Sequence, residues 1–182
     1  MINQTKKLFA DKIKEMMKTI PLSQIRVKEI CEKCGADRKT FYYHFKDKYD
    51  LVAWIFANMV EECVRSSHGV MGVEEATMVL YNMKQDIEFY KNAYSDSSQN
   101  ALGAYIQQYN VNMYEKILKE YLGVEKLTTE LEVAVKFFCY GGLGMTREWI
   151  MTNANVSAEQ YSAMMHDNMP LLLKEAILNK KV

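Results

Sequence analysis

The sequence predicts an all-α fold of about nine helices, and three observations carry that expectation. Glycine and proline are scarce, 8 and 2 residues in 182, which disfavours a many-turned β architecture. Apolar residues make up 49 per cent of the chain and recur at three- and four-residue steps through most of its length. The few turn-forming residues, such as Pro21, Gly35, Gly72, Gly123 and Pro170, punctuate those steps. The same apolar fraction argues against global disorder, and the length suffices for one domain or two small ones with a real core.

A first helix is expected from about Thr5 to Thr19, with Leu8, Phe9, Ile13, Met16 and Met17 as its apolar stripe and Pro21 as its stop. Lys6, Lys7, Lys12, Lys14 and Lys18 lie mostly off that stripe. Val27, Ile30, Cys31 and Cys34 then share one face of a two-turn helix, and Lys28, Glu29, Glu32 and Lys33 point away from it. Gly35 ends this helix, because a residue without Cβ takes the left-handed conformation cheaply. Asp37 is placed to cap the next helix through the free N–H groups of its first turn. That helix, Arg38 to His44, buries Phe41 and, just beyond it, Phe45. Arg38, Lys39, Thr40, Tyr42, Tyr43 and His44 remain for solvent or a partner. Helix, glycine turn, helix over residues 26–45 is the spacing of a helix-turn-helix, whose second helix lies in the major groove of DNA. The chemistry agrees: Arg and Lys donate to guanine O6 and N7 or to phosphates, Thr bonds a base or touches a thymine methyl, and Tyr hydroxyls suit phosphates.

The run RKTFYYHFKDKYDL, preceded by VKEICEKCGAD, resembles the DNA-binding domain of the TetR family of bacterial regulators over roughly Thr5 to Leu51. Thr40, Phe41, Tyr42, His44, Phe45, Lys48 and Leu51 carry the pattern. The resemblance implies a transcriptional regulator in which two identical chains read a palindromic operator in double-stranded DNA, with repression as the default sense. One departure stands at the entrance: where the family often has Thr or Ser, this chain has Arg26, which removes the hydroxyl cap and is assigned to a phosphate instead. Lys28 is counted on the same DNA side. Lys48 sits in the first turn of the following helix, where an ammonium opposes the helix dipole, so an anion such as a phosphate is its expected partner.

The charge is unevenly spread. Residues 1–50 hold 12 Lys or Arg against 7 Asp or Glu, a net of +5, and the remainder holds 11 against 16, a net of −5. A basic head has the sign for a polyanion, and an acidic body has the sign that keeps it off DNA. The expected division is therefore a reader at 1–50 and a helical regulatory and dimerisation domain at 51–182.

In that second part Leu51, Ile55, Phe56, Met59, Val60 and Cys63 form a clear stripe behind Asp47 as cap. The resemblance makes this helix the link from body to reader. A break at Ser66, Ser67, His68, Gly69 and Gly72 follows, then a helix over 74–94, a break at Ser95 to Ser98, and one long or two short helices over 101–122. Leu127 to Asn153 is the longest apolar pattern, with Leu131, Val135, Phe138, Gly142, Met145, Trp149 and Thr152 as its buried stripe. Gly141, Gly142 and Gly144 inside it each cost about 1 kcal/mol against Ala, which close approach of another helix or of a ligand would offset. Ser157 and Gln160 form a capping box for a last helix, interrupted at Pro170 before Leu171, Leu172 and Leu173. The resemblance implies that the last two long helices form a four-helix bundle with those of a second copy, and Phe138, Met145, Trp149, Tyr161 and Met165 are the expected interface residues. The segment FFCYGGLGMTREWI, followed by SAEQY, further resembles the subgroup that includes regulators of dihydroxyacetone kinase operons.

Other functions fit less well. Three scattered histidines, at 44, 68 and 166, stand at no spacing for nucleophile, base and orienting group, so an all-α enzyme is disfavoured. A helical protein-interaction module that binds no DNA is the remaining alternative. Cys31 and Cys34 have no second ligand pair, so buried thiols are expected rather than zinc, and no cofactor is called for. With no secretory signal and no apolar run of membrane length, the cytoplasm is the expected compartment. Thirteen Met and twelve Tyr suit an adaptable interior for a small effector between the helices of 74–152, although a partner protein could supply control instead.

Overall fold

Phe9, Ile13, Met16 and Met17 lie fully inside the protein in the computed structural model, which describes residues 2–66, 72–96 and 102–178. They belong to α1 (Ile2–Met17), the first of ten α-helices among the described residues. Leu8 is the exception in the expected stripe: it neighbours Phe9 around the helix but is turned from the line 9, 13, 16 and 17, and it is exposed. A 3-10 turn (Leu22–Gln24) leads to α2 (Val27–Cys34), α3 (Arg38–His44) and α4 (Lys48–Ser66). These helices pack α1 on α2 and α4, and α2 on α3, with no strand among the described residues.

The body comprises α5 (Val73–Gln85), α6 (Ile87–Ser95), α7 (Leu102–Leu122), α8 (Thr129–Met151), α9 (Ala158–Asp167) and α10 (Leu171–Leu178). Ten helices stand where about nine were expected, and one added break falls at Asp86. Its ψ of 33° departs from helical geometry, dividing the single helix expected over 74–94 into α5 and α6. Ser67, His68 and Gly69 of the expected boundary, and Ser97 and Ser98 of the next break, lie outside the described residues. Residues 102–122 form one helix rather than two.

One hydrophobic core runs from Phe9 and Phe41 in the head, through Leu51, Val52 and Phe56 on α4, to Met83, Tyr90, Trp149 and Tyr161 in the body. A smaller cluster of Val111, Leu118, Leu127, Val135, Cys139 and Leu173 closes the far end, where α10 rests on α7 and α8. Gly142 on α8 is explained by the close approach of α9: a Cβ there would meet Met165 Cε at 3.2 Å.

Polar contacts also cross the joint between head and body. The Asn92 carboxamide on α6 accepts from the Leu22 N–H at 2.8 Å and donates to the carbonyls of Met17 and Ile20, both at 2.7 Å. A single side chain thus satisfies three part-buried backbone groups of the α1–α2 connection. Lys14 on α1 pairs with Asp86 at the α5–α6 break. Asn92→Ala leaves those three groups without their partner and is expected to lower the unfolding free energy by about 2–4 kcal/mol. Urea unfolding followed by circular dichroism measures this, and an unchanged midpoint would count against the joint.

Candidate nucleic-acid interface

Helix α2 begins where the sequence places it, immediately after Arg26, but with half a capping box. The Glu29 carboxylate accepts from the Arg26 N–H at 2.8 Å, and the arginine side chain makes no reciprocal bond. Its end follows the Schellman pattern. The Ala36 N–H donates to the Cys31 carbonyl and the Gly35 N–H to that of Glu32, with Gly35 at φ +61°. Asp37 then caps α3, its carboxylate accepting from the Thr40 N–H at 2.6 Å. That bond holds the exposed Asp37 carboxyl below its ordinary range. The cap therefore stabilises fully above the unfolded carboxylate pKa and is lost as pH falls through the depressed value.

Phe41 and Phe45 anchor α3. Phe9 meets Phe41 edge-on at 5.2 Å between centroids and Phe45 at 6.4 Å, while Phe45 also meets Trp54 of α4. With that face buried, α3 presents its other face outward. Arg38, Lys39, Tyr42 and Tyr43 are exposed, Tyr43 at 75 per cent, and Thr40 and His44 are half-buried. The Arg38 guanidinium lies over the Tyr42 ring at 5.8 Å and the Tyr43 ring stands against His44 at 4.9 Å, so neighbouring side chains limit one another's rotamers. Arg26 and Lys28 are also exposed, at the start of α2. Lys28 faces Glu32 at 3.6 Å across solvent, a pair worth about 0.3–0.5 kcal/mol and readily exchanged for a phosphate.

Lys48 does not belong with this group. Its ammonium donates to the carbonyls of Leu22 at 2.6 Å, Ser23 at 2.9 Å and Ile25 at 2.9 Å, which uses all three of its hydrogens. Partial burial pulls its pKa below the usual lysine value. The anion expected opposite it is replaced by the carbonyl end of the Leu22–Gln24 turn, where a cation is favourable. Cys31 and Cys34 are likewise structural. Burial raises both thiols, Cys34 to about 11, and Cys34 Sγ reaches the Leu8 carbonyl. Among the described residues no group of three or more His, Cys, Asp or Glu is placed to hold a metal.

The other expected site was the seam with a second copy. Of its five residues only Met145 is exposed. Trp149 and Tyr161 stack on each other at 5.1 Å inside the chain's own core, and the Trp149 indole donates to the Val156 carbonyl. Phe138 packs edge-on against Tyr114, and Met165 against Gly142. The stripe through 131, 135, 138, 142 and 149 is therefore the inner face of α8. Its outer face carries Val133, Phe137 and Tyr140, with Met145 and Met151 further along, and Phe137 is 74 per cent exposed. The same 3.6-residue period, begun two residues later, runs through Val133, Phe137 and Tyr140.

The comparisons with known proteins agree with this geometry. The model of bacterial regulatory proteins of the tetR family matches residues 4–55, and that of a transcriptional regulator C-terminal region matches residues 75–170, over half of the chain. The chain belongs to the TetR family. Among curated relatives of this TetR-family chain is the HTH-type dhaKLM operon transcriptional activator DhaS of Lactococcus lactis subsp. lactis (strain IL1403), 28% identical over 91 residues. That alignment spans 50% of this chain and 49% of the relative. A solved structure named dihydroxyacetone kinase operon activator DhaS has the same fold at a TM-score of 0.65 and 22% identity, covering 95% of this chain and 96% of that one. No helix among the described residues is long and apolar enough to cross a membrane.

Two substitutions separate the outward lysine from the inward one. Lys48→Met leaves three carbonyls without a donor and is expected to cost about 2–3 kcal/mol of stability. Lys39→Ala is expected to change it by less than about 0.5 kcal/mol. Thermal and urea unfolding of the two variants give both values, and equal losses would contradict the assignment.

Proposed function

We propose that the protein is a homodimeric, sequence-specific DNA-binding transcriptional regulator, with residues 1–50 as reader and residues 51–182 as the dimerising, effector-responsive body. The observation that carries this reading is the outer face of α3: a capped helix, pinned from behind by Phe41 and Phe45, that offers base-reading and phosphate-binding side chains together. Arg38, Lys39, Thr40 and Tyr42 are assigned to the major groove. Tyr43, His44, Arg26 and Lys28 are assigned to the flanking phosphates.

The exposed apolar face of α8 supports the dimer. Val133, Phe137 and Tyr140 are exposed at helical spacing along α8, Met145 further along is exposed as well, and so are Leu171 and Leu172 on α10; an exposed apolar face of this kind marks an interaction surface. A two-fold axis through it would bury each copy against the same patch of the other and set two α3 helices apart by a fixed distance. The relatives named for the dihydroxyacetone kinase operon suggest control of a neighbouring metabolic operon. Because the Lactococcus lactis protein is named an activator, repression loses its standing as the default sense. A helical interaction module without DNA binding remains the competing reading.

Two measurements decide between them. In mobility shifts with DNA from the flanking intergenic region, affinity is expected to fall about tenfold or more between 50 and 200 mM salt. Lys28→Ala should weaken binding and flatten that slope, whereas salt-independent binding or none would favour the interaction module. In sedimentation, the wild type is expected at twice the chain mass and Phe137→Glu at or near one. A Phe137→Glu protein that remained fully dimeric would place the seam elsewhere.

A further inference from the structure

Between α4, α5, α6, α7, α8 and α9 the body holds a partly open pocket of about 140 Å³. Its walls are mostly apolar, among them Phe56, Leu80, Ile106 and Leu143, and no Asp, Glu, Lys, Arg or His among the described residues lines it. A charged occupant would lose its hydration with nothing to replace it. Cys139, the one thiol in the wall, is pushed up to about 12 by burial and is therefore no nucleophile. An apolar cavity of about 150 Å³ accepts a molecule the size of benzene.

The polar side chains of the wall are those of Tyr94, Asn110, Tyr114, Thr146, Tyr161 and Ser162. Ser162 is engaged with Thr77 and with the Glu159 carbonyl. The Tyr161 hydroxyl lies beside Thr146 but makes no well-formed hydrogen bond. Tyr94, on α6, is 95 per cent or so buried, and its hydroxyl has no hydrogen-bond partner among the described residues. A buried hydroxyl left in this state costs on the order of 1–3 kcal/mol, which an oxygen supplied by a ligand would recover.

We propose that this cavity binds a neutral molecule of about the size of phenol, with one oxygen that accepts a hydrogen bond from the Tyr94 hydroxyl. Alcohols, phenols and small ketones are the chemical class. The proposal deepens, and rests on, the reading of the body as effector-responsive. The location suits that role: Tyr94 is two residues beyond Asn92, which grips the α1–α2 connection, and Phe56 is on α4, whose first turn carries Lys48. An occupant would touch both helices that hold the reader.

The test uses the full chain with four probes: phenol, benzyl alcohol, toluene as the purely apolar control, and benzoate as the charged one. Thermal shift and titration calorimetry are expected to show saturable binding of phenol and benzyl alcohol, weaker binding of toluene, and none of benzoate. Tyr94→Phe removes a hydroxyl that no residue holds, so it should melt at or above the wild-type temperature. It should bind phenol about 5- to 10-fold more weakly, with toluene affinity unchanged within about twofold. Benzoate binding as well as phenol, no binding of any probe, or phenol affinity untouched by Tyr94→Phe would overturn the proposal. Mobility shifts without probe keep the two readings apart. Intact DNA binding with an unresponsive cavity overturns this inference alone, and phenol binding without DNA binding supports it while overturning the regulator.

Discussion

The connection between α1 and α2 is the constraint on which the reader depends. Met17 to Ile25 turns the chain with only a short 3-10 turn at Leu22–Gln24, so several of its backbone groups take side-chain partners instead of helical ones. Lys48 takes three of its carbonyls from one side, and Asn92 takes two more and an N–H from the other. Neither side chain belongs to α1, α2 or α3. One opens the linker helix and the other sits on the body, so the orientation of the reading pair is held from outside by the parts that would move if the body changed shape. Charge and fixed geometry act together here, because an ammonium with its three hydrogens committed has little freedom left.

The same economy governs α3. With seven residues it has too few turns to be stable alone, and it persists because a cap, two buried phenylalanines and the edge-on contact with Phe9 hold it. Its inner face is spent on packing, which leaves its outer face, with cations, hydroxyls and aromatic rings, available for DNA. The proposed dimer seam inverts this arrangement. There α8 is apolar on two sides, and the fold fills only one of them.

The reader was legible because its signals are local. Gly35, Asp37 and the four-residue step from Phe41 to Phe45 act within a turn or two of their own position, and the structure places each as the spacing requires. The errors share a cause of the opposite kind. Lys48 had an argument for an anion in its helix position, but its actual partners lie more than twenty residues earlier in the chain. Asn92 passed unnoticed because an isolated Asn in a helix carries no periodic signal, and its partners are about seventy residues away. On α8 both faces satisfy the same period, so hydrophobicity could not say which faced inward; the packing of Trp149 on Tyr161 decides it. The division at Asp86 was hidden for a related reason, since apolar residues continue on both sides of a one-residue break.

Selection from random double-stranded DNA followed by sequencing tests the central claim most directly, because it asks at once whether α3 reads bases and whether two copies read together. The account predicts an enriched inverted repeat with a constant separation between half-sites, lost in Lys39→Ala, and in Phe137→Glu reduced to a single half-site or lost. Failure to enrich any sequence from a folded wild-type protein would contradict it.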